Sequence, residues 1–335
     1  MKVRQGLQKF IFTQTPLELK LKVAARAYTD ETLAPEDEAT LLFIYSHDRD
    51  PAVASSARKS FEEYPVPLIL EALEKKLDPL VIKKFLEIHK DNEAVFIMAY
   101  LNPWVDDDTL KILAESGPEE VIAFLSEEKE RFFDKPFLLE SLKKNPLAPY
   151  ILINGIEAML RAEKVLDTKA SAARGPRFKE RDPEALKVPK ELIDERKVDE
   201  QNIFKIVQSM SMAQKVKLAL SGNKSARELL IKDSNKMIAT AVLKNPRITE
   251  DEVLRLTITR GTPEDLLRQV AKNKEWVKNY NVKLGVVTNP KTPLTISVKL
   301  LDHLYEKDLT KLSKSKNIPS VLASTARRKL ETKKK

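Results

Sequence analysis

Three histidines, His47, His89 and His303, and a run of three aspartates, Asp106, Asp107 and Asp108, are the residues whose types could hold a metal ion or move a proton. An imidazole can ligate zinc or serve as a general acid–base, and grouped carboxylates can ligate a hard cation. Their spacing argues against both. The histidines are spread over separate stretches with no partner at metal-ligand spacing, and read as half-exposed structural residues. Consecutive carboxylates at a helix start cannot all point at one ion, and interaction with the positive end of the helix dipole accounts for them. The chain has no cysteine, which excludes disulfides, iron–sulfur clusters, thiolate zinc sites and cysteine nucleophiles. It also lacks a glycine-rich phosphate loop, a Gly-x-Ser-x-Gly elbow and a His-Glu-x-x-His pair. The expectation is a protein that is not an enzyme, with no catalytic residue, cofactor or metal.

Charge gives the other candidate chemistry. Residues 201–335 hold 28 Lys or Arg against 12 acidic residues, a net of +16, so the overall +9 leaves −7 for residues 1–200. Residues 311–335 alone carry nine basic side chains and one acid, Glu331. Lys311, Lys314, Lys316, Arg327, Arg328, Lys329, Lys333, Lys334 and Lys335 are therefore candidate contacts for a polyanion such as a nucleic acid, with salt-sensitive affinity. The competing reading is a solvated terminal helix with a lysine tail that aids solubility.

The elements that would position these residues follow from a repeat. Asn102-Pro103 and Asn145-Pro146 lie 43 residues apart, and Asn245-Pro246 and Asn289-Pro290 lie 44 apart. A period of that size is the signature of stacked helical pairs. Other landmarks keep a 144- or 145-residue offset between the halves: Phe132 with Trp276, and Gly117-Pro118-Glu119-Glu120 with Thr262-Pro263-Glu264-Asp265. A residue before proline is pushed out of the α region, so each helix must stop at the Asn. Asn also tolerates the left-handed conformation that commonly caps a helix. A new helix then restarts from an acidic or capped turn, at Asp106 to Asp108, at Thr249 to Glu252, and at Thr292 with Pro293 in the first helical position. Trp276, aligned with Phe132, is expected in the core. Trp104 stands where the other copies have Leu147, Arg247 and Lys291, so Trp104, Arg247 and Lys291 are candidate surface contacts. Tyr280 and Tyr305 are left without a role.

The composition suits an all-α chain: seven glycines in 335 residues, and no long alternation of polar and apolar residues. Helical pairs read from Thr15-Pro16 onward as an acidic array over 1–164. The pattern fails over 165–200, where Ala170 to Pro176 and three prolines indicate a mobile linker or a long excursion, with one short helix near Lys190–Arg196. A basic array with its tail occupies 201–335. The first twenty residues lack an apolar signal core, and no stretch reaches membrane-spanning length, so the expected location is cytoplasmic.

Asp50-Pro51-Ala52-Val53, followed by Arg58, resembles a HEAT repeat. Asn145-Pro146-Leu147-Ala148-Pro149 and Asn289-Pro290-Lys291-Thr292-Pro293 resemble the Asn-Pro-x-x-Pro corners of leucine-rich-repeat-variant and HEAT-like bacterial proteins. The block Asn273 to Tyr280 leading into Asn289-Pro290 resembles bacterial helical-repeat proteins without assigned function. The resemblance implies a HEAT-like solenoid with units of about 43 residues, in two arrays separated by a linker. The stacked architecture leads to the expectation of a non-enzymatic scaffold that binds a protein partner on the solenoid surface, and the charge asymmetry to the alternative of nucleic-acid binding through the basic array and tail. An enzyme of the HEAT-like DNA-glycosylase kind would need aromatic and acidic residues in a basic groove, and aromatics are sparse in this basic half.

Overall fold

The structure, a computed structural model, describes residues 5–12, 15–29, 32–166, 177–194, 200–315 and 317–333. These residues form helices and turns with no strand among them, in two compact units that divide between Val188 and Pro189. No helix among them is long and apolar enough to cross a membrane.

The first unit carries α1 (Gln8–Ile11), α2 (Leu17–Ala24), α3 (Pro35–Tyr45), α4 (Pro51–Glu62), α5 (Val66–Leu73), α6 (Pro79–Ile88), α7 (Glu93–Leu101), α8 (Asp107–Ser116), α9 (Glu119–Glu127), α10 (Arg131–Asp134), α11 (Phe137–Lys143) and α12 (Tyr150–Leu166). The second carries α13 (Glu200–Ser209), α14 (Met212–Ser221), α15 (Lys224–Leu230), α16 (Lys236–Leu243), α17 (Glu250–Ile258), α18 (Glu264–Lys272), α19 (Lys274–Lys278), α20 (Tyr280–Thr288), α21 (Leu294–Leu301), α22 (Glu306–Lys314) and α23 (Ser320–Lys333). Within each unit a helix packs on its second neighbour as well as its first. α3 meets α5, α5 meets α7 and α7 meets α9; α14 meets α16, α16 meets α18 and α18 meets α20. This two-layer stacking of helical pairs is an α-solenoid.

The four Asn-Pro corners all lie between helices, as the sequence predicts, but the Asn does more than stop one. Asn102, Asn145, Asn245 and Asn289 are all buried. Each amide Nδ2 donates to two carbonyls at the end of an earlier helix. Asn102 reaches Leu73 and Lys75 (2.7 and 3.0 Å), and Asn145 reaches Ala114 and Gly117 (3.0 and 2.9 Å). Asn245 reaches Ala219 and Gly222 (2.9 and 3.2 Å), and Asn289 reaches Thr257 and Thr259 (2.7 and 2.9 Å). Each Oδ1 accepts the N–H two residues on, from Trp104, Leu147, Arg247 and Lys291. One side chain thus satisfies carbonyls that a helix end leaves orphaned and locks its own turn. Asn223, with no proline after it, does the same for Glu191 and Asp194 while capping α15 through Ala226.

The left-handed cap expected of these asparagines is not what forms. Asn102 and Asn289 are extended (φ −67°, ψ 121° and φ −73°, ψ 124°). Among the described residues the only non-glycine with positive φ is Arg26. The proline enforces the extended conformation, and the side chain serves the end of an earlier helix rather than the one it terminates. The restarts differ as well. Asp106 caps α8 through Thr109, and Thr249 and Glu252 form a reciprocal capping box on α17. Thr292 does not cap: Pro293 takes that position on α21, and the buried Thr292 hydroxyl has no hydrogen-bond partner.

Part of the stretch read as linker, residues 167–176 and 195–199, lies outside the described residues. Residues 177–188 belong to the first unit and 189–194 to the second. In the first, Asp134 accepts the backbone N–H of Arg177 and Phe178 (3.1 and 2.7 Å). The Arg181 guanidinium lies 4.4 Å from the Tyr100 ring centroid, donates to the Tyr100 carbonyl and ion-pairs with Glu128. Glu128 also accepts from the Tyr100 hydroxyl (2.6 Å) and from Arg131 (3.2 Å), and Arg131 lies 4.7 Å from the Phe178 ring. In the second unit, a short 3-10 turn at Lys190–Leu192 buries Leu192 and presents the Glu191 carbonyl, one of the two that Asn223 holds.

Candidate functional site

The second unit contains a cleft of about 640 Å³ bounded by α15, the turn after it, α17 and the loop into α18. Its lining is built by helix capping. Asn223 starts α15, which puts Arg227 one turn in, buried and facing α17. Thr249 starts α17, which puts Glu252 at its third position. There the carboxylate accepts Thr249 N–H (2.9 Å) and both arms of the Arg227 fork (3.0 and 3.0 Å). Arg227 spends a further N–H on the Gly222 carbonyl (3.0 Å), the same carbonyl that Asn245 holds.

Burial by itself would push the Glu252 carboxyl up. The Arg227 and Thr249 hydrogen bonds outweigh it and hold the group below its ordinary range. Nearer solvent, Arg255 pairs with Glu228 (3.1 Å) and Lys215 with Asp233 (3.3 Å). The floor between these pairs is apolar. Ile231, Ile248 and Leu256 are half-buried and pack on the core cluster of Val253, Leu266, Val270 and Val286. Two arginine–carboxylate pairs and the exposed Lys232 therefore surround an apolar floor, an arrangement that can hold an apolar side chain.

The basic residues predicted as polyanion contacts divide. Lys316, Lys334 and Lys335 lie outside the described residues, and Lys333 is described only as the last residue of α23. Lys311 and Lys314 lie on α22, and Arg327, Arg328 and Lys329 on α23, which packs against it. Arg327 reaches the Ser313 carbonyl at the end of α22 (3.5 Å), beside Lys314. Lys311 pairs with Asp308 (3.3 Å) and Lys329 with Asp302.

Of the candidate surface contacts, Arg247 and Lys291 are exposed and Trp104 is half-buried. Arg247 donates to the Ile193 carbonyl (3.0 Å). Trp276 is half-buried and packs against the second unit's core. Two of the three aspartates share Lys83: Asp106 meets Thr109 and Lys83, Asp108 meets Lys111 and Lys83, and Asp107 meets Lys135. His47 lies beside Ser46 and the Phe43 carbonyl, and His303 is exposed. His89 ends α6 with a buried Nε2 that has no hydrogen-bond partner.

Sequence reasoning missed two features. The Arg227–Glu252 fork spans 25 residues, and only its Thr249-x-x-Glu252 half carries a local signal. Tyr280 and Tyr305, also 25 residues apart, stack with centroids 4.2 Å apart and planes inclined by 26°. The chain matches no protein-family model, no curated protein and no solved structure.

Proposed function

We propose that the chain is a non-enzymatic scaffold of HEAT-like helical pairs, about 43 residues to the unit, that holds a segment of a partner protein in the cleft of its second unit. The carrying observation is that cleft: an apolar floor of Ile231, Ile248 and Leu256 beside two ion pairs, Arg255–Glu228 and Arg227–Glu252. A volume of about 640 Å³ falls in the range of ligand-holding sites, roughly 300–1,000 Å³. Helical-repeat stacks characteristically present such surfaces to other chains. The occupant this chemistry suits is a peptide segment with an apolar anchor residue, its own polar groups meeting Arg255 and Glu228 at the rim. Support for the HEAT-like unit is the repeated Asn clamp, which joins the same kind of helix end at every Asn-Pro corner.

The test is site-specific photo-crosslinking of the full chain in its native cells, with the reactive residue at Leu256 and, as a control, at exposed Ser320. The expected result is one discrete protein adduct from position 256 that is absent from position 320 and weakened by Arg255→Glu. Equal adducts from both positions, or none from 256, overturn the reading.

A further inference from the structure

We propose that α22 and the tyrosine pair at its start form a binding site for single-stranded nucleic acid, distinct from the cleft between α15 and α17. Lys307, Lys311 and Lys314 are all exposed and recur at i, i+4 and i+7, so they share one face of α22. The opposite face buries Leu309 and Leu312. The stripe runs about 10 Å along the helix. Glu306, the exposed acid of α22, lies off the stripe by about 100° of helical rotation. The other acid, Asp308, is buried, with its oxygens given to Tyr280 and Lys311.

A stripe of lysines alone is a solvated face. The aromatic at its head is what a solvated face does not need. Tyr305 immediately precedes α22 and leaves 60% of its surface exposed. One face of its ring is stacked on Tyr280, and the Lys307 ammonium stands 6.0 Å from its centroid. Tyr280 is itself fixed: its hydroxyl donates to Asp308 (2.6 Å) and accepts the Tyr305 backbone N–H (3.1 Å). The result is a buttressed, outward-facing ring at one end of a row of cations. Aromatic platforms stack unpaired bases while neighbouring cations track the phosphates. A duplex hides the base faces, so the ring discriminates for a single strand.

The test uses the full chain and a fluorescein-labelled 20-nucleotide mixed-sequence DNA, single-stranded and as its duplex, followed by anisotropy from 50 to 200 mM salt. Expected are tighter binding of the single strand and a loss on the order of tenfold in Tyr305→Ala. Tyr305→Trp should retain binding. Lys307→Gln, Lys311→Gln and Lys314→Gln together should flatten the log–log salt dependence by about 2. Thermal unfolding of each variant separates lost binding from lost folding, and Tyr305→Ala keeps the backbone N–H that Tyr280 accepts. Equal affinity for duplex and single strand, or an unchanged Tyr305→Ala, overturns the platform. Binding to vesicles containing phosphatidylserine but not to the oligonucleotide overturns the nucleic-acid assignment.

Discussion

Gly285 on α20 lies directly against Thr257 on α17. A Cβ built on Gly285 would come within 2.8 Å of the Thr257 Cβ and closer still to its Oγ1. Thr257 is fully buried, and its carbonyl is one of the two held by Asn289, one helical turn after Gly285. The missing side chain lets the two helices approach closely enough for the clamp to close. Gly285→Ala gains helix propensity but must push α20 from α17, and it is expected to cost about 1–3 kcal/mol net of unfolding stability. Combining it with Thr257→Gly should cost less than the sum of the two single changes. Urea unfolding of the four proteins gives the coupling, and strict additivity would separate the two sites.

Asn245 is the tightest of the corner clamps in burial, with 2% of its surface exposed. Asn245→Ala strands the carbonyl of Ala219 and the N–H of Arg247 and takes one of two donors from the Gly222 carbonyl. Gly222 keeps its Arg227 donor, so about 2–4 kcal/mol is the expected loss. Asn245→Asp keeps the shape and the acceptor but sets a carboxylate against two carbonyls, and should be worse than Ala at pH 7. A milder Asp variant would show that the amide is not donating as described. Chemical denaturation at pH 7 distinguishes them.

The corners show which part of this architecture is legible in a sequence. Proline acts on its immediate neighbour, so Asn-Pro announces where a helix ends, and the 43- and 44-residue spacings announce stacking. Capping is equally local, and Asp106 and Thr249 start helices where their types suggest. The clamp is not local. Asn145 meets carbonyls 28 and 31 residues back, and nothing in its neighbours specifies that contact. A left-handed cap would close the helix that the Asn itself ends, whereas the clamp closes an earlier helix. The same distance effect conceals the Tyr280–Tyr305 stack and the Arg227–Glu252 fork, whereas the lysines of α22 are visible as an i, i+4, i+7 series.

His89 is expected to make the first unit sensitive to mild acid. Burial holds its imidazole below the usual value, and its Nε2 is enclosed without a partner. The folded-state pKa is depressed relative to the unfolded chain, so between the two values the unfolded chain binds more protons. Stability is therefore retained above about pH 6.5 and declines as pH falls below it toward the folded value. His89→Gln should remove that component. The difference in urea midpoint between the parent and His89→Gln should shift between pH 7.5 and pH 5.5, with the parent losing more. Parallel pH profiles would exclude His89 as the source.

Arg181 helps tie segment 177–182 to the helices of the first unit, beside the Asp134 contacts to Arg177 and Phe178 and the Glu180 pairs with Arg131 and Lys135. Its guanidinium covers the Tyr100 ring, meets the Tyr100 carbonyl and pairs with Glu128, whose other oxygen serves Tyr100 and Arg131. Burial, with Glu128 adding to it, pushes the Tyr100 hydroxyl well above the tyrosine range, so it stays a donor at any working pH. Arg181→Ala removes one of two cations from a carboxylate that is 17% exposed, at an expected cost of about 3 kcal/mol. Arg181→Lys keeps the charge but loses the planar fork and the stacking, and should recover only part of that cost. The effect should be regional. Amide exchange should rise across 177–182 and at the end of α7, while the amides of α16 to α20 keep their protection. Uniformly faster exchange would mean that Arg181 supports the whole chain; unchanged exchange at 177–182 would mean that the Asp134 contacts to the Arg177 and Phe178 N–H groups and the Glu180 pairs with Arg131 and Lys135 suffice to hold the segment.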